Sequence, residues 1–356
     1  MLQNKDNFLS NEILINNVLC NYSIGLSKIE CIKFKNSDKH RAVYKITDIL
    51  NSYCLKKVYF NKAELLFVYS VVEWLSRFGF NTPKFIPTKN HSRFSEYDGN
   101  LFVLFPWIDG LKLDYDNINH VIKSAANLSL LHQYSKNFYP INKIKARYGC
   151  DNIYISTNKH FYELLSFNNS AFKSRDTFSN VFIEFFLTNI KLSDMCTEIA
   201  SSINHENLSI SICHLDYVNK NILLDKNDDL WTIDFDKCKM DYCAHDISYY
   251  LRRILKRDKS LWNLQLLKSI LHHYENFKAL NLDEYKYIFS YLCFPQKYWK
   301  ISRDYFKSSK KNHCTEFVSL LNKASINSEA QLNFANDFIE LIENKFKVKL
   351  KKNFRF

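Results

Sequence analysis

Glycine and proline are both scarce, at five each in 356 residues; average usage would supply roughly 25 and 18. Long flexible linkers are therefore excluded, and a glycine-rich loop for cradling phosphates is hard to build. Cysteine is better represented, with ten residues, yet no C-x-x-C pair occurs among them. That pattern argues against a disulfide scaffold and fits a reducing compartment. No run of about 18 apolar residues is present to cross a bilayer. The first residues carry Lys5, Asp6 and Glu12 and lack the apolar core of a secretory signal. Synthesis in the cytosol without a membrane partner is expected. Internal repeats and low-complexity tracts are also missing.

What is present is the composition of a folded protein: 46% hydrophobic, 16% aromatic and 24% charged. The length allows one large domain or two lobes with a sizeable core. The net charge is +12, from 49 basic and 37 acidic residues. An anionic partner is one explanation and solvated, lysine-rich faces are the other. The basic runs at Lys143–Arg147, Lys307–Lys311 and Lys345–Lys352 are short and scattered. No basic stripe interleaved with aromatics emerges, so nucleic-acid binding is not expected.

Along the chain, a first helix is expected before residue 30, with Ile13, Leu14, Val18 and Leu19 on one stripe. Val43–Thr47 and Tyr53–Val58 read as strands, with Cys54, Lys56 and Val58 on one face of the second. A lysine held on that face could reach the phosphates of a nucleotide as a point charge. Lys62–Phe78 reads as a helix closed by Gly79. A hairpin turning at Asp98-Gly99-Asn100 returns as Leu101–Phe105. Phe105–Gly110 then breaks the strand, as a hinge would: Pro106 ends regular pairing and Gly110 permits a turn. A helix over Asn117–Tyr134 follows. Residues 140–207 are harder to read, with helices expected near Phe161–Phe167 and Asn180–Ile203. Phe182, Phe185, Phe186, Ile190 and Ile199 supply an apolar face for the latter. Further helices are expected at Ile247–Leu255, Leu261–Tyr274, Asp283–Cys293, Tyr298–Phe306, Cys314–Leu321 and Ser328–Phe346.

The chemistry concentrates between Ser209 and Tyr250. A short strand through Ile210 and Ile212 leads into a loop holding His214, Asp216 and Asn221. Ile222–Leu224 leaves that loop, Asp225–Asp229 turns, and Leu230–Ile233 returns, bringing Asp234 back beside Asn221. Two oxygen ligands on one hairpin suit Mg²⁺, which takes few protein oxygens and fills its remaining positions with water and phosphate. Asp216 would lie near enough to accept a hydroxyl proton. Cys238, Cys243 and His245 could be read as zinc ligands, with Cys213 and His214 drawn in. They lack tight paired spacing and read better as small buried hydrophobes. Strands and one helix, a hinge, then helices around a catalytic hairpin make an α+β, bilobal plan. Its boundaries fall at 1–105 for the N-lobe, 106–110 for the hinge and 111–356 for the C-lobe, with the hairpin at 209–236.

Lys56, the hinge, His214-x-Asp216-x-x-x-x-Asn221 and Asp234 together resemble the protein-kinase-like superfamily. His-x-Asp in place of His-Arg-Asp is similar to the aminoglycoside/choline phosphotransferase branch. Within that branch the chain resembles the CotS-type spore coat proteins. The segments that carry this likeness are Tyr53–Lys56, Leu65–Phe67, Glu73–Leu75, Cys213–Asp216, Ile233–Asp236, His245–Ile247, Leu251–Arg253 and Phe294–Lys300. The resemblance implies a protein-kinase-like fold and ATP with Mg²⁺ as cofactors. It implies that Asp216 is the catalytic carboxylate, that Asn221 and Asp234 hold the metal, and that Lys56 meets the α and β phosphates. Cys54 would touch the adenine, Leu223 would lie below it, and backbone groups of Phe105–Trp107 would hydrogen-bond its edge. Asp246 would tie the catalytic loop to the following helix.

Three features depart from the family pattern. Phe34–Thr47 contains no glycine, and its turn is expected at Asn36-Ser37-Asp38. The helix glutamate that should pair with Lys56 is ambiguous, with Glu73 favoured over Glu64. Leu215 follows His214 where glycine is common. Two functions fit this pattern. One is an ATP-dependent phosphotransferase acting on a hydroxyl of a small molecule or a coat-associated sugar. The other is a pseudokinase serving as a structural part of the spore coat, with other coat proteins as partners.

Overall fold

The computed structural model describes residues 9–25, 28–35, 41–141, 143–307 and 314–350. The turn expected at Asn36–Asp38 lies outside them. The chain divides into two units. One comprises Met1–Leu113, Tyr134–Arg147 and Asn219–Lys239, the other Asp114–Gln133, Tyr148–Val218 and Met240–Phe356. The β-hairpin after Asn219 thus groups with the N-terminal sheet rather than with the helices.

The first unit opens with a helical segment made of α1 (Asn11–Ile13), a π turn (Leu14–Val18) and a 3-10 turn (Leu19–Asn21). Strands β1 (Lys28–Lys35), β2 (Arg41–Thr47) and β3 (Ser52–Lys57) are followed by helix α2 (Lys62–Arg77), then β4 (Ser95–Tyr97) and β5 (Asn100–Pro106). The five strands form one antiparallel sheet in the order β1-β2-β3-β5-β4. Side chains alternate across it, as the pleat requires. Ala42, Tyr44, Ile46, Leu55, Phe102 and Leu104 point to one face, where Leu14, Val18, Leu19 and Tyr22 cover them. The opposite face presents Val43, Cys54, Lys56, Val103 and Phe105, and register places Lys56 between Val43 and Val103. Helix α2 is fixed by a reciprocal capping box between Asn61 and Glu64 and stops at Gly79, whose φ of +80° suits glycine. Strand β6 (Leu111–Lys112) pairs with β8 (Ile222–Leu224), which pairs with β9 (Leu230–Thr232). Gly110 is needed here for space rather than for a turn, because a Cβ would come within 2.9 Å of the Leu224 carbonyl oxygen.

The second unit is mostly helical. It holds α3 (Ile118–Tyr134, whose last residue falls in the first unit), α4 (Ile153–Ser174), α5 (Thr177–Ser201), β7 (Ile210–Cys213) paired with β10 (Lys239–Tyr242), α6 (Cys243–Leu255) and α7 (Leu264–Glu275). Four more helices follow: α8 (Leu282–Cys293), α9 (Gln296–Lys307), α10 (Cys314–Ser325) and α11 (Ser328–Phe346). Helix α5 is its centre and packs against α4, α8, α10 and α11. Phe182, Ile190 and Ile199 are buried as their stripe predicts, while Phe185 and Phe186 are only partly covered. Helix α4 is much longer than its apolar periodicity indicates, and α5 starts three residues before the expected Asn180 and ends two before Ile203. Polar caps set their ends: Asn152 accepts from Tyr154 N–H, and Asp176 accepts from Ser179 N–H at 2.8 Å. Helix α6 likewise begins at Cys243, four residues before the expected Ile247.

Candidate active site

In the first unit, the Lys56-bearing face of the sheet, helix α2 and the β8–β9 hairpin enclose a cavity of about 200 Å³. Lys56, Cys54, Phe105, Trp107, Leu223, Asn221 and Asp234 all line it, so the residues expected around the nucleotide and the metal meet in one place. The strand register explains the upper wall, since Cys54 pairs with Phe105 and Lys56 with Val103. The hairpin explains the lower wall. Leu223 sits mid-strand in β8, and the Ile233 amide donates to the Asn221 carbonyl at 2.9 Å. Asn221 and Asp234 are thereby held at the open end of one ladder. The turn is closed by Asp225, whose Oδ1 accepts from Asn227 and Asp229 N–H and whose Oδ2 accepts from Trp231 Nε1.

Asp234 adopts φ 67°, ψ 60°, a left-handed conformation that Asp tolerates better than most residues. A 3-10 turn over Phe235–Lys237 follows. The kink and the turn bring two carboxylates to Lys56: its Nζ lies 2.6 Å from Asp234 Oδ1 and 2.7 Å from Asp236 Oδ1. Burial works against the charged ammonium, but Asp236 and then Asp234 outweigh it and raise the lysine's pKa. Burial raises the pKa of Asp236, with Lys56 pulling the other way. The expectation that Glu73 pairs with Lys56 is corrected here. Neither Glu73 nor Glu64 lines the cavity, and Glu64 instead caps α2 by accepting from Asn61 N–H. Asp236 is the residue that sequence reasoning passed over. Its signal was the two-residue spacing from Asp234 in Ile233–Asp236. Arg147 donates to the Asp236 carbonyl at 2.8 Å and so braces the turn from the basic loop.

The Cys54 thiol is pushed up to about 11 by burial and stays neutral. Lys45 places its ammonium 4.7 Å from the centre of the Trp107 ring. The backbone of Phe105–Trp107 offers less than expected. Pro106 has no N–H, and Trp107 N–H already donates to Ser52 O at 2.9 Å.

Asp216, the expected catalytic carboxylate, belongs to the second unit. Its amide donates to His214 Nδ1 at 3.2 Å, and its Oδ1 accepts from the Tyr249 hydroxyl at 3.4 Å. Arg253 Nη2 in turn donates to the Tyr249 oxygen at 2.6 Å. Leu215 takes φ +57° where glycine would be unstrained. Asp246 holds that conformation: its carboxylate accepts from His214 N–H at 2.6 Å and Leu215 N–H at 2.9 Å, and His132 Nε2 lies 3.3 Å away. Burial would raise this carboxyl's pKa, but the His132 hydrogen bond and charge and the His214 contacts bring it below the ordinary value. Cys213 and Cys243 are buried free thiols, and His245 pairs with Asp241 at 3.0 Å. Among the described residues, Cys238, Cys243 and His245 do not come together as metal ligands.

Several solved structures share this architecture. An aminoglycoside phosphotransferase from Alicyclobacillus acidocaldarius is 17% identical over 92% of this chain and 96% of its own, with a TM-score of 0.71. A spectinomycin phosphotransferase, APH(9)-Ia, in complex with ADP and spectinomycin, is 17% identical over 92% and 96%, with a TM-score of 0.61. The amicoumacin kinase hAmiN, bound to AMP-PNP, Ca²⁺ and its ligand Ami, is 14% identical over 94% and 97%, with a TM-score of 0.59. At such identities the likeness is one of fold, and the fold is that of the protein-kinase-like phosphotransferases. The sequence profile described as "Spore coat putative kinase YutH" matches residues 28–338. The chain belongs to that family, in agreement with its resemblance to the CotS-type proteins.

Proposed function

We propose that the protein is an ATP-dependent phosphotransferase of the spore coat, acting on a hydroxyl of a small molecule or a coat-associated sugar. The observation that carries this reading is the convergence of Lys56, Asn221 and Asp234 with the apolar residues Cys54, Leu223, Phe105 and Trp107 around one cavity. A purine ring suits the apolar part, and Lys56 is the cation for the α and β phosphates. Asn221 and Asp234 offer the hard oxygens that Mg²⁺ prefers, and the cavity brings both to the same wall. They would hold the ion, which when bound neutralises phosphate oxygens. Asp216 orients the acceptor hydroxyl and receives its proton. The hydroxyl oxygen attacks the γ-phosphorus, the bond from that phosphorus to the β–γ bridging oxygen breaks, and ADP leaves. Positioning and charge supply most of the acceleration.

The test is transfer from labelled ATP, with Mg²⁺, to a panel of sugars and amino alcohols. Wild type is expected to label an acceptor and Asp216→Asn to lose about 10²–10⁴-fold in rate. Equal, low turnover in both would remove this mechanism. A second reading, a pseudokinase that serves coat assembly with other coat proteins as partners, draws on the double clamp of Lys56 by Asp234 and Asp236. That clamp occupies the lysine that phosphates would need. Failure of millimolar ATP with Mg²⁺ to raise the melting temperature would favour it. Synthesis in the cytosol and a final place in the spore coat go with either reading.

A further inference from the structure

A second cavity, of about 290 Å³, lies wholly within the helical unit, where α6, α8, α9 and the α10–α11 turn meet. That volume is at the lower end for small-ligand pockets, roughly 300 Å³ upward. Two of the segments that carry the family resemblance converge on it, Leu251–Arg253 through its arginines and Phe294–Lys300 through its first five residues. Its cations are Arg252, Arg253, Lys256, Lys297 and Lys323, and among the described residues no carboxylate lines it. Among the described residues none of the five forms an ion pair, although twelve acids elsewhere do or lie close to a histidine.

The walls arrange these charges. The Arg252 guanidinium lies 4.0 Å from the centre of the Tyr291 ring, and Arg253 lies 5.0 Å from that of Tyr249. Burial, then Lys297, Arg253 and Arg252, pulls the Lys256 pKa down to about 8. Like charges gathered with no acid between them repel one another, and a bound anion relieves that repulsion. The same wall reaches the proposed chemistry. Tyr249 lines the cavity, and its hydroxyl donates to Asp216 Oδ1 at 3.4 Å. Trp262 adds a ring on which a sugar can stack.

We infer that this cavity binds a hydroxylated small molecule carrying an oxyanion, a carboxylate or a phosphate, such as a sugar acid or sugar phosphate. On the phosphotransferase reading above, on which this step rests, that molecule is the acceptor. A cationic acceptor such as an amino sugar would meet five positive charges and no counter-charge.

The experiment uses the full-length protein without ATP, at low salt, with glucuronate, glucose 6-phosphate, glucose and glucosamine as probes in calorimetric titration. One or both anionic probes are expected to bind, and glucose and glucosamine at least tenfold more weakly. The first two probes separate carboxylate from phosphate. Lys256→Glu with Lys297→Glu is expected to weaken anion binding at least tenfold. Lys256→Gln with Lys297→Gln should do so to a smaller degree, and this pair guards against a folding defect in the charge reversal. Lys56→Met, which disables the other cavity, should leave anion binding intact. Glucosamine or glucose binding as well as the anions, or unchanged anion affinity in both double variants, would overturn the proposal. Anion binding without any transfer from ATP would instead count against the phosphotransferase reading and leave the anion site standing.

Discussion

Lys56 stands between two carboxylates, with Nζ 2.6 Å from Asp234 and 2.7 Å from Asp236. The side chains of Lys56 and Asp236 are 15% and 10% exposed and that of Asp234 is 35% exposed, so the Lys56–Asp236 pair is buried and Asp234 lies at its rim. Removing the one cation leaves two neighbouring acids facing each other. Lys56→Met is expected to lower the unfolding free energy by about 3 kcal/mol, the usual scale for breaking a buried pair. Urea denaturation at pH 7 measures it. Adding Asp236→Asn to Lys56→Met should recover part of the loss, since only one charge then remains.

Asp246 carries a separate structural load. It is fully buried and accepts from the amides of His214 and Leu215, the latter at positive φ. Asp246→Ala leaves both N–H groups without their acceptor. Hydrogen bonds to a charged group contribute about 1.5–3 kcal/mol each, so a loss of roughly 3 kcal/mol or more is expected in the same denaturation assay.

The apolar part of the first cavity can be filled without touching charge. Cys54 faces into it from the centre of the sheet. Cys54→Phe is expected to abolish the rise in melting temperature given by ATP with Mg²⁺. Overpacking should lower stability by only about 1–3 kcal/mol. A variant that still gained full stabilisation from ATP would place the base elsewhere.

His160 gives a pH dependence with a definite sign. Its ring stacks on Trp299 at 3.5 Å between centroids. Burial, opposed by Glu163 and aided by Lys159, Arg303 and Lys307, lowers its pKa to about 4. In the unfolded chain histidine titrates near 6.5. The folded value is the lower one, so the fold prefers the neutral ring. That contribution is complete above about pH 6.5 and is lost as pH falls toward 4. His160→Phe should therefore show a shallower loss of melting temperature between pH 7 and pH 4.5 than wild type. Parallel curves would show that this histidine does not govern the acid limb.

The sheet and the hairpin were legible in the sequence because period-two alternation and turn chemistry act locally. Cys54, Lys56 and Val58 could be placed on one face, and Asn221 could be set opposite Asp234, before any tertiary contact was known. The partner of Lys56 was not legible in the same way. It depends on one left-handed residue, Asp234, whose conformation no periodicity announces. The extent of α4 and the start of α5 were missed for a different reason. Their starts are fixed by the side-chain caps Asn152 and Asp176, which no apolar stripe announces. The basic cavity was invisible because Arg252, Lys297 and Lys323 lie far apart in sequence and meet only when α6, α9 and α10 pack.

The ladder bond from Ile233 N–H to the Asn221 carbonyl, with Asp225 locking the turn, has a consequence for assembly. The two ends of the hairpin are clamped by backbone and turn chemistry, and Lys56 adds an ion pair to Asp234. Whatever cation Asn221 and Asp234 take is a passenger and not a strut. Unlike small metal-built domains, which come apart when stripped, this hairpin is expected to keep its shape in chelator.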